Sequence, residues 1–330
     1  MPAPGLLASL LLGLVFPGVG AALATILFII WFERKFTARV QRRVGPYYVS
    51  PRLHGALQLV ADGIRFLFQE PIIPVSVDKA GFIAAPMLAV ILTATALLFL
   101  PAAPGLAAVP TPYNTLAFMA VMAVSPLPII IAGWASDNKF SIIGALREAF
   151  LNVSYEPVIF ISLLAMILMY GCIDASRMVE AQGVLPGVLL NPLAAFTYIV
   201  AVMAATDRPP FDIVFGEQEI VSGPYTEYSG ILFGYTMMRD YLNLYAFSVL
   251  FALVFLGGWL PARTPPMAPL ILYMKTVLVM AGVVTLRSIY CRIRLDHALR
   301  LLWRVILPLG LAALALSAGV AVLRGVLLHG

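Results

Sequence analysis

Long uncharged, mostly apolar runs alternate with short charged stretches along this chain. No Asp, Glu, Lys or Arg occurs before Glu33, between Lys79 and Asp137, between Glu180 and Asp207, between Asp240 and Arg263, or between Arg304 and Arg324. Each window holds at least one helix of about 20 residues, the length that a bilayer core requires. The window from 80 to 136 is broken by PAAPGLAAVPTP at 101–112, whose prolines and glycines read as a turn between two spans. Further spans fit between Glu156 and Asp174 and over about 267–286, with Lys275 inside the latter. The pattern predicts an all-α polytopic membrane protein with eight transmembrane helices, in a single domain over 1–330. No pair of broken spans recurs in two halves, which weighs against a transporter of inverted-repeat design working alone.

A second pattern lies inside the longest connection, 33–80. HGALQLVADGIRFLFQE at 54–70 sets Leu57, Val60, Ala61, Ile64, Leu67 and Phe68 at helical spacing, with Gln58, Asp62, Arg65, Gln69 and Glu70 over much of the other side. This predicts an amphipathic surface helix on the cytoplasmic side, against the membrane or under a partner subunit.

Composition sharpens the class. With 62% hydrophobic and 11% charged residues, the chain is no conventional globular enzyme, since soluble domains carry roughly 25% charged residues. The segments 33–80, 136–154, 207–229 and 287–304 hold 8, 2, 1 and 5 Lys and Arg, whereas the opposite side has only Arg177, Arg263 and Arg324. Cytoplasmic loops carry the basic excess, so those four segments are expected inside the cell membrane and both termini on its outer side. The same asymmetry explains a pI near 9.3 without a nucleic-acid partner. The first residues include no basic side chain and their apolar run outlasts a signal peptide's, so a retained first span is expected. Cys172 and Cys291 fall on opposite faces of this topology and are not expected to pair. Two Cys with the scattered His54, His297 and His329 do not supply the roughly four ligands of an iron–sulfur cluster or structural zinc, so redox centres are expected on other chains.

The residues left over carry the candidate chemistry. TDRPPFDIVFGEQEIVSGPYTEYSG at 206–230 gathers Asp207, Asp212, Glu217, Glu219 and Glu227 around the single cation Arg208. Ionisable groups beside lipid are costly, and like charges in a low dielectric raise one another's pKa, so proton exchange near neutral pH is the functional reading. A solvated acidic loop is the alternative, opposed by the interleaved Phe211, Ile213, Val214, Phe215, Ile220, Val221 and Tyr225. Arg39, Arg42 and Arg43 read as positive-inside anchors, but anchoring gives no reason for Glu33. Glu156 is expected to open a span before Pro157, where capping and a proton-transfer station are both open readings. Lys139 and Arg147 read as interfacial. Arg239 and Asp240 lie within the sixth span, and adjacent helical positions point about 100° apart, so each is expected to need another partner. Lys275 is the candidate for Asp240.

The motifs ERK, RVGP, GALQLVAD, GWAS, GALR, SYE, RPPFD, GEQE, VSG and TEYSG, in this order from residue 32 to 301, resemble the H subunit of respiratory complex I, known in mitochondria as the first NADH dehydrogenase subunit. The resemblance implies a membrane subunit that joins a hydrophilic redox arm to a proton-pumping arm and walls part of a quinone chamber. It implies Arg34, Asp62, Arg208, Asp212, Glu217 and Glu219 around that chamber. Glu33, Glu156, Glu227 and Asp240 would belong to a proton-linked path, with Asp207 and Lys275 added from the reading above. It also implies iron–sulfur clusters on partner subunits, small membrane subunits and antiporter-like pumping subunits as further partners, and quinone as substrate. The family's usual Glu is replaced by Ala205 and by Phe215, with Asp207 beside the first gap. Gln69 and Arg65 replace lysines, and Tyr47 stands where Asn is common, which points to a divergent branch. The rival function is the membrane anchor of an energy-converting hydrogenase or formate hydrogenlyase, which uses no quinone.

Overall fold

The structure is a computed structural model that describes residues 18–329 except 184, 263, 265 and 266, with side chains other than those of 19, 217 and 323–329. Among the described residues all regular structure is helical. The helices of seven residues or more are α1 (Val19–Val40), α2 (Gln58–Phe68), α3 (Lys79–Leu97), α4 (Asn114–Val124), α5 (Leu127–Ala135), α6 (Lys139–Tyr170), α7 (Ala175–Gln182) and α8 (Pro192–Ala205). Then follow α9 (Gly230–Phe255), α10 (Met267–Ile289) and α11 (Leu295–Leu301), which passes through a π turn into α12 (Leu307–His329).

Six helical stretches are long and apolar enough to cross a bilayer, namely α3, α4 with α5, α6, α9, α10 and the run Leu295–Val322. The chain is a multi-pass membrane protein. The two other predicted crossings fall on α8, which has 14 residues, and on α1, whose predicted window begins outside the described residues.

Local chemistry sets the ends of these helices. Asn138 accepts from the Phe140 amide at 2.9 Å and caps α6, Asp174 does the same for Ser176 at 2.9 Å on α7, and Asn191 for Ala194 at 3.0 Å on α8. Gly171, at φ 68°, closes α6 in the left-handed conformation that costs glycine least. Charge gaps misplace two boundaries. Residues 139–154, expected as a connection, are the first half of the 32-residue α6, so Glu156 sits mid-helix and caps nothing. Likewise α1 runs on through Glu33, Arg34, Lys35 and Arg39. Partners elsewhere in the fold receive several of these charges: Arg208 and Arg287 meet Glu33, Asp62 meets Arg34, and Arg239 meets Glu148.

Nearly all of α9 is buried, and it packs against α1, α2, α3 and α10 as the central post of the bundle. Around it lies a continuous apolar core that includes Tyr198, Leu250, Phe255 and Trp259. A smaller core, built on Phe82, Ile129, Tyr225 and Tyr228, pins the 206–230 loop to α3 and α5. There the rings of Phe82 and Tyr228 stack at 4.1 Å, and the Tyr228 hydroxyl donates to the Phe82 carbonyl at 3.1 Å. Phe211, Ile213, Val214, Ile220 and Tyr225 are buried, as their interleaving with the acids predicts, while Val221 is exposed. The loop also presses on α6. A Cβ on Gly144 would come within 2.6 Å of Pro224 Cδ and 2.7 Å of the Gly223 Cα.

Candidate functional site

The 206–230 loop divides its acids: Asp207 and Asp212 line one cavity, whereas Glu219 and Glu227 meet separate partners. Asp207 follows the last turn of α8, in a left-handed backbone conformation of φ 49°, and turns into the bundle beside Arg239 of α9 and Glu148 of α6. Arg239 lies 3.6 Å from Glu148, 3.6 Å from Asp207 and 3.0 Å from Asp240, and the side chains of Arg239, Glu148 and Asp207 are each 1% exposed. With its carboxamide oxygen turned to the guanidinium, Asn243 accepts from Nε at 3.0 Å and from Nη2 at 3.2 Å, and donates to Thr93 Oγ1 at 2.6 Å. Burial, reinforced by Glu148, pushes the Asp207 carboxyl well above the usual carboxylate range despite Arg239.

This cluster corrects two expectations. Arg239 and Asp240 do pair with each other, because the long arginine side chain folds back over the angle that separates neighbouring Cβ atoms. Lys275 is not the partner of Asp240. Its Nζ donates to the Leu256 carbonyl at 2.6 Å and the Leu260 carbonyl at 2.8 Å, at the opposite end of α9. There it meets the partial negative charge of a helix C-terminus.

Arg208, adjacent to Asp207, turns away from the loop acids toward α1. It donates to Glu33 at 2.5 Å, and its guanidinium carbon lies 4.8 Å above the Tyr241 ring. Glu33 also receives Arg287 of α10 and the Tyr241 hydroxyl, the latter at 3.3 Å. An acid for which anchoring gives no reason thus joins α1, α9, α10 and the loop.

These two ionic groups flank a cavity of about 220 Å³ whose polar lining includes Asp207, Arg208, Asp212, Asp240, Tyr241 and Arg287. Next to it, a largely apolar cleft of about 500 Å³ runs between α1, α2 and α9, lined by Leu23, Ile26, Leu27, Ile30 and Phe66 among others. Phe233, Met237 and Tyr241 line both spaces, so a layer of side chains stands between the apolar cleft and the charged cavity. Arg34 and Asp62, paired at 2.6 Å, stand on the cleft wall, and Gln58 donates to Asp62 at 2.9 Å.

The remaining predicted residues lie apart. Glu219 is half exposed and bridges Arg147 at 2.7 Å and Arg292 at 2.8 Å, and the Arg147 hydrogen bond holds its carboxyl below the usual range. Glu227 accepts from Asn138 at 2.5 Å, so it is tied to the cap of α6. Glu156 is partly exposed on α6, and the Glu217 side chain lies outside the described residues. Phe215 lines the charged cavity, and Ala205 is buried at the end of α8. Cys172 and Cys291 are free thiols, and among the described residues no three His, Cys, Asp or Glu side chains converge as metal ligands.

Sequence reasoning overlooked Glu148. The signal was present: in a capped 139–170 helix, Glu148 falls on the same face as Asn152 and Tyr155, and on the turn before it Gly144 is packed too closely against the loop to leave room for solvent. Charge gaps hide it, because they place 148 in a connection rather than inside a helix.

Comparison with known proteins gives a consistent result. The profile of the NADH dehydrogenase family matches residues 14–318. The H subunit of NADH-quinone oxidoreductase from Dehalococcoides mccartyi is 36% identical over 300 residues, covering 91% of this chain and 83% of its own length. The protein of that name from Carboxydothermus hydrogenoformans is 37% identical, over 87% of this chain and 82% of its own. That from Methylococcus capsulatus is 34% identical, over 92% and 96%.

Proposed function

Since the chain belongs to the NADH dehydrogenase family, as an H-type membrane subunit of complex I, we propose that it admits a quinone from the lipid and couples its reduction to proton translocation. In this reading the chain holds no redox centre. Electrons come from an iron–sulfur cluster on a hydrophilic partner, and the protons driven onward pass to pumping subunits in the same cell membrane. Eight crossings, with α1 and α8 completing the set, and an α2 lying at the cytoplasmic surface belong to the same proposal.

The observation that carries the reading is the shared wall of Phe233, Met237 and Tyr241 between an apolar cleft and a charged cavity. A quinone has an apolar tail and a polar ring that takes up protons on reduction. The cleft suits the tail, with hydrophobic burial worth about 25 cal/mol per Å². Arg34 and Asp62 would stand at the entrance, and Arg208 and Asp212 would face the ring side. Glu217 and Glu219, on the loop, would meet the hydrophilic partner's edge of the chamber. When reduction consumes protons, the charge change would reach Asp240 and Asp207 through the cavity they line, and Glu33 through Arg208. Glu227 and Glu156 would continue the path along α6, while Lys275, committed to two carbonyls, supports α9 rather than the path.

The test is made on the complex that contains this chain. Met237→Trp should raise the KM for a long-tailed quinone more than for a short-tailed one, while leaving electron transfer to a soluble dye unchanged. A quinone carrying a photoreactive group should label α1, α2 or α9. Unaltered kinetics with both quinones and no label on these helices would remove the reading. The hydrogenase-anchor alternative has no comparable support, because the three relatives are quinone oxidoreductase subunits by name.

A further inference from the structure

The Glu148–Asp207 contact is unlike an ordinary ion pair. Both oxygens of Glu148 and both of Asp207 are buried and accept no hydrogen bond. The two carboxyl groups converge on the same guanidinium, each 3.6 Å from a nitrogen of Arg239. One guanidinium, that of Arg239, serves Glu148, Asp207 and Asp240 together. Full ionisation would leave a formal charge of −2 in a position closed to bulk solvent, which a protein relieves by binding protons. Two carboxyls in contact do so by sharing one proton, an O–H of one donating to an oxygen of the other.

The groups that face the pair come from three elements. α6 contributes Tyr155, the loop contributes Asp212 and Tyr225, and α9 contributes Arg239 and Asp240. No basic side chain other than Arg239 acts on Glu148 or Asp207 among these. Arg208, the next cation along the loop, is engaged by Glu33. The pair also has two distinct sides. Asp207 lines the charged cavity, whereas Glu148 does not. Beyond Glu148 along α6 come Asn152, whose buried Oδ1 has no donor, and then Tyr155.

We propose that Glu148 and Asp207 form a carboxyl pair that holds one shared proton between the cavity and the interior face of α6, with Arg239 as its fixed counter-ion. The proton enters on Asp207 from the cavity and passes to Glu148. Asp207 is then left as a carboxylate against Arg239, and Glu148 as a neutral acid facing Asn152. No electron moves in this step and no atom is lost. The inference rests on the functional reading above for its direction, but the pair itself does not.

Infrared difference spectra of the resting complex, taken across a pH step in H2O and D2O, report the pair directly. A protonated-carboxyl stretching band that shifts on deuteration is expected in the wild type and is lost in Glu148→Gln. Asp207→Asn, which mimics the protonated acid in size, should lose the same band and serves if Glu148→Gln does not assemble. In vesicles, Glu148→Gln should reduce the protons translocated per quinone. A band that persists unchanged in either variant overturns the proposal. If the wild-type complex shows the band but reduces no quinone, the functional reading fails and the carboxyl pair stands.

Discussion

Two ion pairs of α1, one residue apart, show how burial decides what a charge is worth. The side chains of Arg208 and Glu33 are 6% and 7% exposed, and Arg287 also reaches Glu33. Arg34 and Asp62, by contrast, are 46% and 26% exposed in their side chains. Removing one partner of a buried pair strands the other, which costs about 3–5 kcal/mol. Loss of an exposed pair costs under about 1 kcal/mol. Glu33→Gln should therefore lower the thermal midpoint of the purified complex markedly, and Asp62→Asn scarcely at all; equal effects would contradict the burial argument. The sequence made Glu33, Arg208 and Asp240 visible, since each stood out as a charge in an apolar setting. It could not show that Arg208 reaches 175 positions back to Glu33, because nothing in the local pattern encodes which helices become neighbours.

Asp207 gives a pH signature with a definite sign. Its carboxyl is held above the usual range in the folded chain, so folding binds a proton there. The stability it contributes is complete below the ordinary Asp range and is lost as pH rises through the elevated value. Asp207→Asn keeps the neutral form at every pH. Its thermal midpoint should exceed that of the wild type at neutral and alkaline pH, with the two curves meeting in acid. Glu219 runs the other way. Its lowered value means that the link to Arg147 and Arg292 is present at neutral pH and lost as pH falls below the ordinary Glu range.

Among the elements, α6 does most to assemble the site, and its true extent was the hardest to read. Pro157 within it and the charges at 147 and 148 resemble a boundary, yet Asn138 caps a helix that continues for 32 residues. The loop packs on α6 at Gly144, where a methyl group would meet backbone and a proline ring. Gly144→Ala should displace the 223–225 turn, cost about 1–3 kcal/mol as overpacking does, and depress quinone turnover by shifting Asp207 and Tyr225. Normal turnover with an unchanged melting profile would show that the contact is looser than described. Within the 54–70 stretch the helix α2 forms over Gln58–Phe68. Its Leu59 is buried, but Ile64, Leu67 and Phe68 are 52%, 66% and 85% exposed in the isolated chain.

At the scale of the whole molecule, charge-free windows alone identify the class and most crossings. What they could not reveal is the amount of apolar surface left open near the charged end of the bundle. Val44, Tyr48, Ile72 and Val75 are 85%, 94%, 66% and 98% exposed in addition to the face of α2. Uncovered patches of this kind mark places where other proteins or lipid attach. Expressed without its partner subunits, the chain should be degraded faster than in the assembled complex, as pulse labelling would reveal. Replacing Leu67 and Phe68 together with Ser should slow assembly without altering the melting of the isolated chain.

The ammonium of Lys275 bears on how α9 can respond to events at its other end. It fastens the carbonyls of Leu256, the C-terminal cap of that helix, and of Leu260 beyond it to the neighbouring span, while Arg239 and Asp240 sit in the other half of the helix, about 15 Å from Gly230 at 1.5 Å per residue. A rod secured at one extremity and enclosed along its flanks cannot slide like a piston. On the proposed function, a change of charge around Arg239 would be absorbed by side-chain rotation and by movement of protons, with the frame of the bundle staying still. Lys275→Met would release that fastening, and greater hydrogen exchange at the Leu256 end, with the Arg239 end unaffected, would be the mark of it.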